Sequence, residues 1–203
     1  MQKLILVLIM MLFVSFLCQA QITAKKVLLG GNISFSSNND ENPNNSRTYL
    51  SLLPSILYMV NNNIGLGVGI GYLQGQSESK QLNYNGTTST SSISFNPYAR
   101  YYKAIAGSEM FYFFGQVNLS LSFGNEKNTQ TNINFSNSRS INTFGAFISP
   151  NFAFLPSKRW AVELGFNGIG YSITDPEGNN NNSSYFNFGV NSFAANIGVR
   201  YIF

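Results

Sequence analysis

The stretch from residue 64 to 72 admits few folds, because Ile64, Leu66, Val68, Ile70 and Tyr72 alternate with Gly65, Gly67, Gly69 and Gly71. Successive side chains of a strand point to opposite faces, so one face here is apolar and the other has no side chains at all. A helix would scatter both sets around its surface. A soluble β-sandwich needs volume on its core face, and four glycines in one strand deny it that volume. A narrow closed barrel uses such empty positions, since bulky groups from facing strands must fit inside it.

The same two-residue period recurs along the chain in segments of about 10 residues. Residues 27–36 set Val27, Leu29, Ile33 and Phe35 opposite Leu28, Gly30, Asn32 and Ser34. Residues 48–60 carry Leu50, Leu52, Pro54, Ile56, Tyr58 and Val60 on one face, and Asn61-Asn62-Asn63 then read as a tight turn. Further segments follow at 93–102, 111–123, 144–154, 160–167 and 195–203. With the glycine strand these predict an all-β fold of eight antiparallel strands. Their connections alternate in length. Residues 37–47, 74–91, 124–139 and 172–184 are long and rich in Asn, Ser, Thr and Gly, and the intervening connections are short. The long ones are expected to be solvated loops. Pro54, Pro97 and Pro150 each lie in a strand entering a short turn. Proline lacks a ladder donor, so these sites predict β-bulges.

Composition fits a surface that meets lipid on one side and water on the other. Charged residues make up 10% of the 203-residue chain and aromatics 15%, against about 25% charged in an average soluble domain, and the mean hydropathy is -0.02. The single long apolar run, 4–18, follows Lys3 and precedes Gln19-Ala20-Gln21. That order predicts a secretory signal peptide at 1–20, cleaved after Ala20, and a β-domain at 21–203. The run is shorter than the roughly 20 residues a spanning helix needs. Cys18 is the one cysteine and lies in the leader after Leu17, an unfavourable neighbour for lipid attachment. The mature chain is thus expected to have no thiol for disulfides or metal.

Nearly every charge of the mature segment falls in an expected loop or turn. Within strands only Arg100, Glu163 and Arg200 remain, all on the polar face. An Arg or Lys on the lipid face costs about 2–4 kcal/mol near the bilayer midplane. Glu163 and Arg200 lie on neighbouring strands and are expected to pair inside, with Arg100 joining from across. The cluster reads either as a polar plug or as an ion constriction. Tyr58, Tyr101, Phe154, Trp160, Tyr201 and Phe203 gather at the short-turn ends, as interfacial girdles do, although strands are enriched in aromatics anyway. The chain contains no His, which removes the usual base of hydrolytic chemistry. Its basic residues are scattered, so neither an enzyme nor a nucleic-acid binder is expected, and no cofactor or metal site is indicated.

Taken with the leader and the alternating segments, the ending Ile197-Gly198-Val199-Arg200-Tyr201-Ile202-Phe203 resembles the outer-membrane β-barrel family, porin-like and of the small OmpA/OmpX type. The resemblance implies an eight-stranded transmembrane up-and-down barrel in the bacterial outer membrane, with long extracellular loops and short periplasmic turns. In that family a final strand of alternating apolar residues ending in Phe is read by the barrel-assembly machinery, and Ala195, Ile197, Val199, Tyr201 and Phe203 fit the pattern. Outer-membrane lipid and that machinery are then the implied partners. Two functions stay open: a non-enzymatic structural or surface-binding barrel with an unknown extracellular ligand, and a narrow porin-like channel for small solutes. A soluble lipocalin-like carrier would invert the faces and put Leu66, Val68 and Ile70 inside. Fractionation separates these classes: the mature chain is expected with the outer membrane, and its recovery in the soluble periplasm would reject the membrane reading.

Overall fold

The computed structural model describes residues 22–41, 44–81, 84–166, 168–176, 182–188 and 196–203. The expected leader at 1–20 and Ala195 lie outside them. Among the described residues there are ten strands: β1 Val27–Glu41, β2 Asn44–Met59, β3 Ile64–Gln81, β4 Tyr84–Ala104, β5 Phe111–Gln130, β6 Phe135–Ser157, β7 Trp160–Gly165, β8 Ile169–Pro176, β9 Ser183–Phe188 and β10 Asn196–Ile202. Every pairing is antiparallel. From β1 to β6 each strand pairs with the next, β6 pairs with β7, β7 with β10, and β10 with β1. Following the ladder therefore leads back to its start. β8 lies on the same side of β6 as β7, further along it, and β9 pairs with β8.

Where eight strands are expected, the described residues form ten segments, and the break between β7 and β8 has an identifiable cause. Asn151 faces Gly165, but Ile148 faces Ile169, so the β7–β8 side holds one residue more than β6 does. The extra residue sits opposite Pro150, where Phe166 N–H donates to the Pro150 carbonyl at 3.2 Å. Gly168 is required here, because a Cβ would run into the Ile148 carbonyl.

Pro54 and Pro97 behave differently from Pro150. On one side each belongs to an unbroken ladder, as Gly31 faces Pro54 and Val68 faces Pro97. On the other side the β2–β3 ladder skips from Leu52 to Ser55 and the β4–β5 ladder from Phe95 to Tyr98, with the register unchanged. The missing donor interrupts the pairing without inserting a residue. Bulges at these two sites are therefore corrected to local gaps.

The long loops are corrected as well. β1 and β2 stay paired to Glu41 and Asn44, β3 and β4 to Gln81 and Tyr84, and β5 and β6 to Gln130 and Phe135. β8 and β9 pair to Thr174 and Ser183. Once the apolar half of a hairpin fixes the register, each further pair satisfies its own backbone groups, and polar side chains do not oppose this. Several of them pair across strands, as Thr88 Oγ1 does in donating to Asn128 Oδ1 at 2.6 Å. Polarity indicated contact with water, which the sequence reading equated with absence of ladder. The turn at Asn61 to Asn63 is as expected: Asn61 Oδ1 accepts from the Asn63 and Ile64 N–H groups, both at 2.8 Å.

The two faces of β3 decide the orientation of the sheet. Leu66 and Ile70 are 53% and 61% exposed, whereas Gly65, Gly69 and Gly71 are buried. That is the opposite of a carrier with an apolar interior, so the lipocalin-like orientation is excluded. The glycine face receives aromatic rings from elsewhere. Tyr98 lies against Gly67, and Phe147 lies against both Gly145 and Gly170.

At the short-turn end the interior is apolar. Leu28, Leu57, Met59, Tyr102, Tyr112, Phe114, Leu155 and Ile202 are buried together with Ile22. The segment before β1 folds across this end. Ile22 N–H reaches Tyr112 Oη at 3.4 Å, Ala24 N–H donates to Asn62 Oδ1 at 2.9 Å, and Lys25 N–H donates to the Met59 carbonyl at 2.8 Å.

The seating of Tyr98 gives a paired test. A Cβ on Gly67 would lie 2.5 Å from Tyr98 Cζ and 2.6 Å from the Ile56 carbonyl oxygen, whereas a Cβ on Gly115 would meet nothing within 4 Å. Gly67→Ala is expected to lower stability by about 1–3 kcal/mol, and Gly115→Ala to change it by under about 0.5 kcal/mol. Urea unfolding of the two variants in detergent checks the contrast.

Candidate functional site in the interior

Alternation places even-numbered residues of β4 and β10, and odd-numbered residues of β7, on the inner face. β7 and β10 are paired, with Gly198 opposite Glu163 and Ala161 opposite Arg200. Glu163 and Arg200 are thus diagonal neighbours. Arg100 comes from β4, which pairs with neither. The three meet above the apolar floor: Arg100 Nη1 lies 2.7 Å from Glu163 Oε1, and Arg200 Nε 2.8 Å from Glu163 Oε2. Each carboxylate oxygen is held by a different guanidinium. The side chains of Arg100, Glu163 and Arg200 are 4%, 3% and 1% exposed.

Neutral groups complete the cluster. Arg100 Nε donates to Gln116 Oε1 at 2.8 Å and its Nη1 to Tyr102 Oη at 2.9 Å. Arg200 Nη1 donates to Ser55 Oγ at 2.9 Å and to Tyr98 Oη at 3.4 Å. The Arg100 guanidinium also stands 4.5 Å from the Phe114 ring centroid and 5.0 Å from that of Tyr98, a cation–π geometry. Sequence reasoning named the three charges and missed these partners. Tyr98 and Tyr102 carried a readable signal, since they flank Arg100 at two-residue spacing on one face. Ser55 and Gln116 carried none.

Two cavities lie on the side of the cluster away from the floor. One of about 350 Å³ touches Arg100, Glu163 and Arg200 and is lined by Asn32, Asn96, Asn118, Asn151 and Asn196 among others. The second, of about 430 Å³, is lined chiefly by Ser, Thr and apolar groups such as Ser92, Ser122, Thr143 and Leu73. Ser51, Leu53, Asn96 and Phe147 border both, so Phe147 on its glycine seat stands between the chambers. Among the described residues, no group of three or more His, Cys, Asp or Glu is placed to hold a metal ion.

The terminal positions lie on the outer face. Ile197, Val199 and Phe203 are exposed, and the Tyr201 ring sits edge-on between Trp160 at 5.1 Å and Phe203 at 4.8 Å. β10 is paired on both edges, with β1 and β7.

Removing one member of a buried ion pair leaves the other charge uncompensated, at about 3–5 kcal/mol. Glu163→Ala, which strands two guanidiniums, is expected to destabilise by that order. Replacing Arg100, Glu163 and Arg200 together by Met, Leu and Met is expected to recover most of the loss, and unfolding curves of both variants test the comparison.

The family model described as outer membrane protein beta-barrel domain matches residues 4–203. No curated protein matches the chain. Among solved structures, the translocator domain of the autotransporter NalP from Neisseria meningitidis is similar over 89% of this chain and 87% of its own, with 13% identity and a TM-score of 0.25. With the family model covering nearly its whole length, the chain belongs to the outer membrane protein β-barrel domain family, and its place is the bacterial outer membrane.

Proposed function

We propose that the chain is an eight-stranded transmembrane up-and-down barrel with a closed interior, non-enzymatic, acting as a structural or surface-binding protein. In this reading β7 and β8 together fill the seventh strand position and β9 and β10 the eighth, and the pairing of β8 with β9 and the cyclic pairing β1 to β7, β10 and back to β1 support it. Eight-stranded barrels have interiors just wide enough for side chains to fill. The observation that carries the closed reading is the floor. Leu28, Leu57, Met59 and Leu155 have no exposed surface, Ile22 packs among them, and the ionic cluster lies directly above. A solute entering the chambers meets this layer before it reaches the short-turn side.

The short turns then face the periplasm. A barrel strand crosses the bilayer in about 9–11 residues, and β4, β5 and β6 have 21, 20 and 23. The surplus forms polar β-ribbons on the outside, and these would meet any extracellular ligand. Outer-membrane lipid contacts the exposed apolar band, and the assembly machinery reads Ile197, Val199, Tyr201 and Phe203 with Ala195. The lack of histidine supports a non-enzymatic role.

The second reading, a narrow channel, is favoured by the two chambers, of which the one beside the cluster is lined by several asparagines. Planar-bilayer recording of the purified protein decides between them. The closed barrel predicts no large steady conductance, and steady channels from the wild-type protein would overturn it. Outward display has its own test: a cysteine introduced by Asn85→Cys, near the tip of the β3–β4 ribbon, is expected to react with a membrane-impermeant maleimide on intact cells.

A further inference from the structure

We infer that the chamber above the Arg100–Glu163–Arg200 cluster is a binding site for a small monovalent anion. The argument begins with the charge count. Two guanidiniums meet one carboxylate, and both carboxylate oxygens are already occupied. Their other partners, Gln116, Tyr102, Ser55 and Tyr98, are neutral. One positive charge is left over at a site where the arginine side chains are 4% and 1% exposed. Two other ion pairs, Glu126–Arg139 and Lys80–Glu78, are each balanced and lie out along the ribbons. An uncompensated buried charge is costly, whereas an anion placed beside it removes that cost.

The surroundings fix where such an ion sits. The floor beneath the cluster is apolar, so compensation comes from the chamber that touches both arginines. At about 350 Å³ the chamber has room for a small ion and on the order of ten waters, each taking about 30 Å³. Its wall supplies amide groups from Asn32, Asn96 and Asn196. Asn196 Oδ1 is held by Ser34 Oγ at 2.6 Å, which orients that side chain. A single excess charge selects a monovalent anion over a divalent one, and two kinds satisfy it, a halide or a short carboxylate.

The test is chloride-35 NMR on the purified protein folded in zwitterionic micelles, with folding of every sample verified by heat-modifiable gel mobility. The wild-type protein is expected to broaden the chloride line saturably. Displacement by acetate at low concentration identifies a carboxylate site and resistance to it a halide site, and either supports the proposal. Gln116→Glu places a carboxylate where Gln116 already accepts from Arg100, which neutralises the cluster internally, so the broadening should vanish. Ser55→Asp does the same beside Arg200 and serves if the first variant fails to fold. No saturable broadening by the folded wild-type protein overturns the proposal. So does broadening that persists in a folded neutralised variant, or displacement by sulfate in preference to monovalent ions. A conducting lumen would defeat the closed-barrel reading and leave this site standing, since the charge count does not depend on conduction.

Discussion

The pairing of β1 with β10 is the constraint from which the rest of the structure follows. In hydrocarbon no water is available to an unpaired N–H or C=O, so a sheet placed there must leave no edge. Here the first and last strands supply that closure, with Leu28 opposite Ile202 and Ile33 opposite Ile197. Its two sides then acquire different solvents. The outer side is a band of exposed Leu, Ile, Val and aromatic residues, and the inner side must be filled by what the same strands project inward.

Filling a narrow ring is a problem of volume before it is one of polarity. Strand glycines cost pairing strength and backbone entropy, yet β3 alternates them with large residues because ring space is scarce. Tyr98 occupies the space above Gly67, and Phe147 that above Gly145 and Gly170. These two rings shape the interior. Tyr98 also turns its hydroxyl toward Arg200, which ties the packing of aromatics to the ionic cluster. The cluster itself joins β4, β7 and β10 across the ring, contacts that no single hairpin could make. Its geometry depends on closure.

Much of this was legible in the order of residues, and the failures have physical reasons. Two-residue alternation identified the outer face and isolated Arg100, Glu163 and Arg200 as the inward charges. The ribbons were read as loops because Ser, Thr, Asn and Gln report contact with water and leave ladder pairing undetermined. Leu57 and Met59 share the phase of Ser55, but nothing local shows that this phase changes from polar to apolar at one end. The prolines looked alike in sequence and differ in the fold. Pro150 faces a neighbour carrying one extra residue, while Pro54 and Pro97 face neighbours in constant register.

The sequence by itself determined the strand period, the outward apolar face, the turn at Asn61 to Asn63 and the scarcity of charge within strands. Each of these rests on interactions between residues near one another in the chain. Tertiary structure alone decided that each oxygen of Glu163 is held by a different guanidinium, that Ser55 and Gln116 complete the cluster, and that Ile22 closes the short-turn end. Those depend on which strands become neighbours and on how the ring divides its limited interior volume, and such distances exist only after closure.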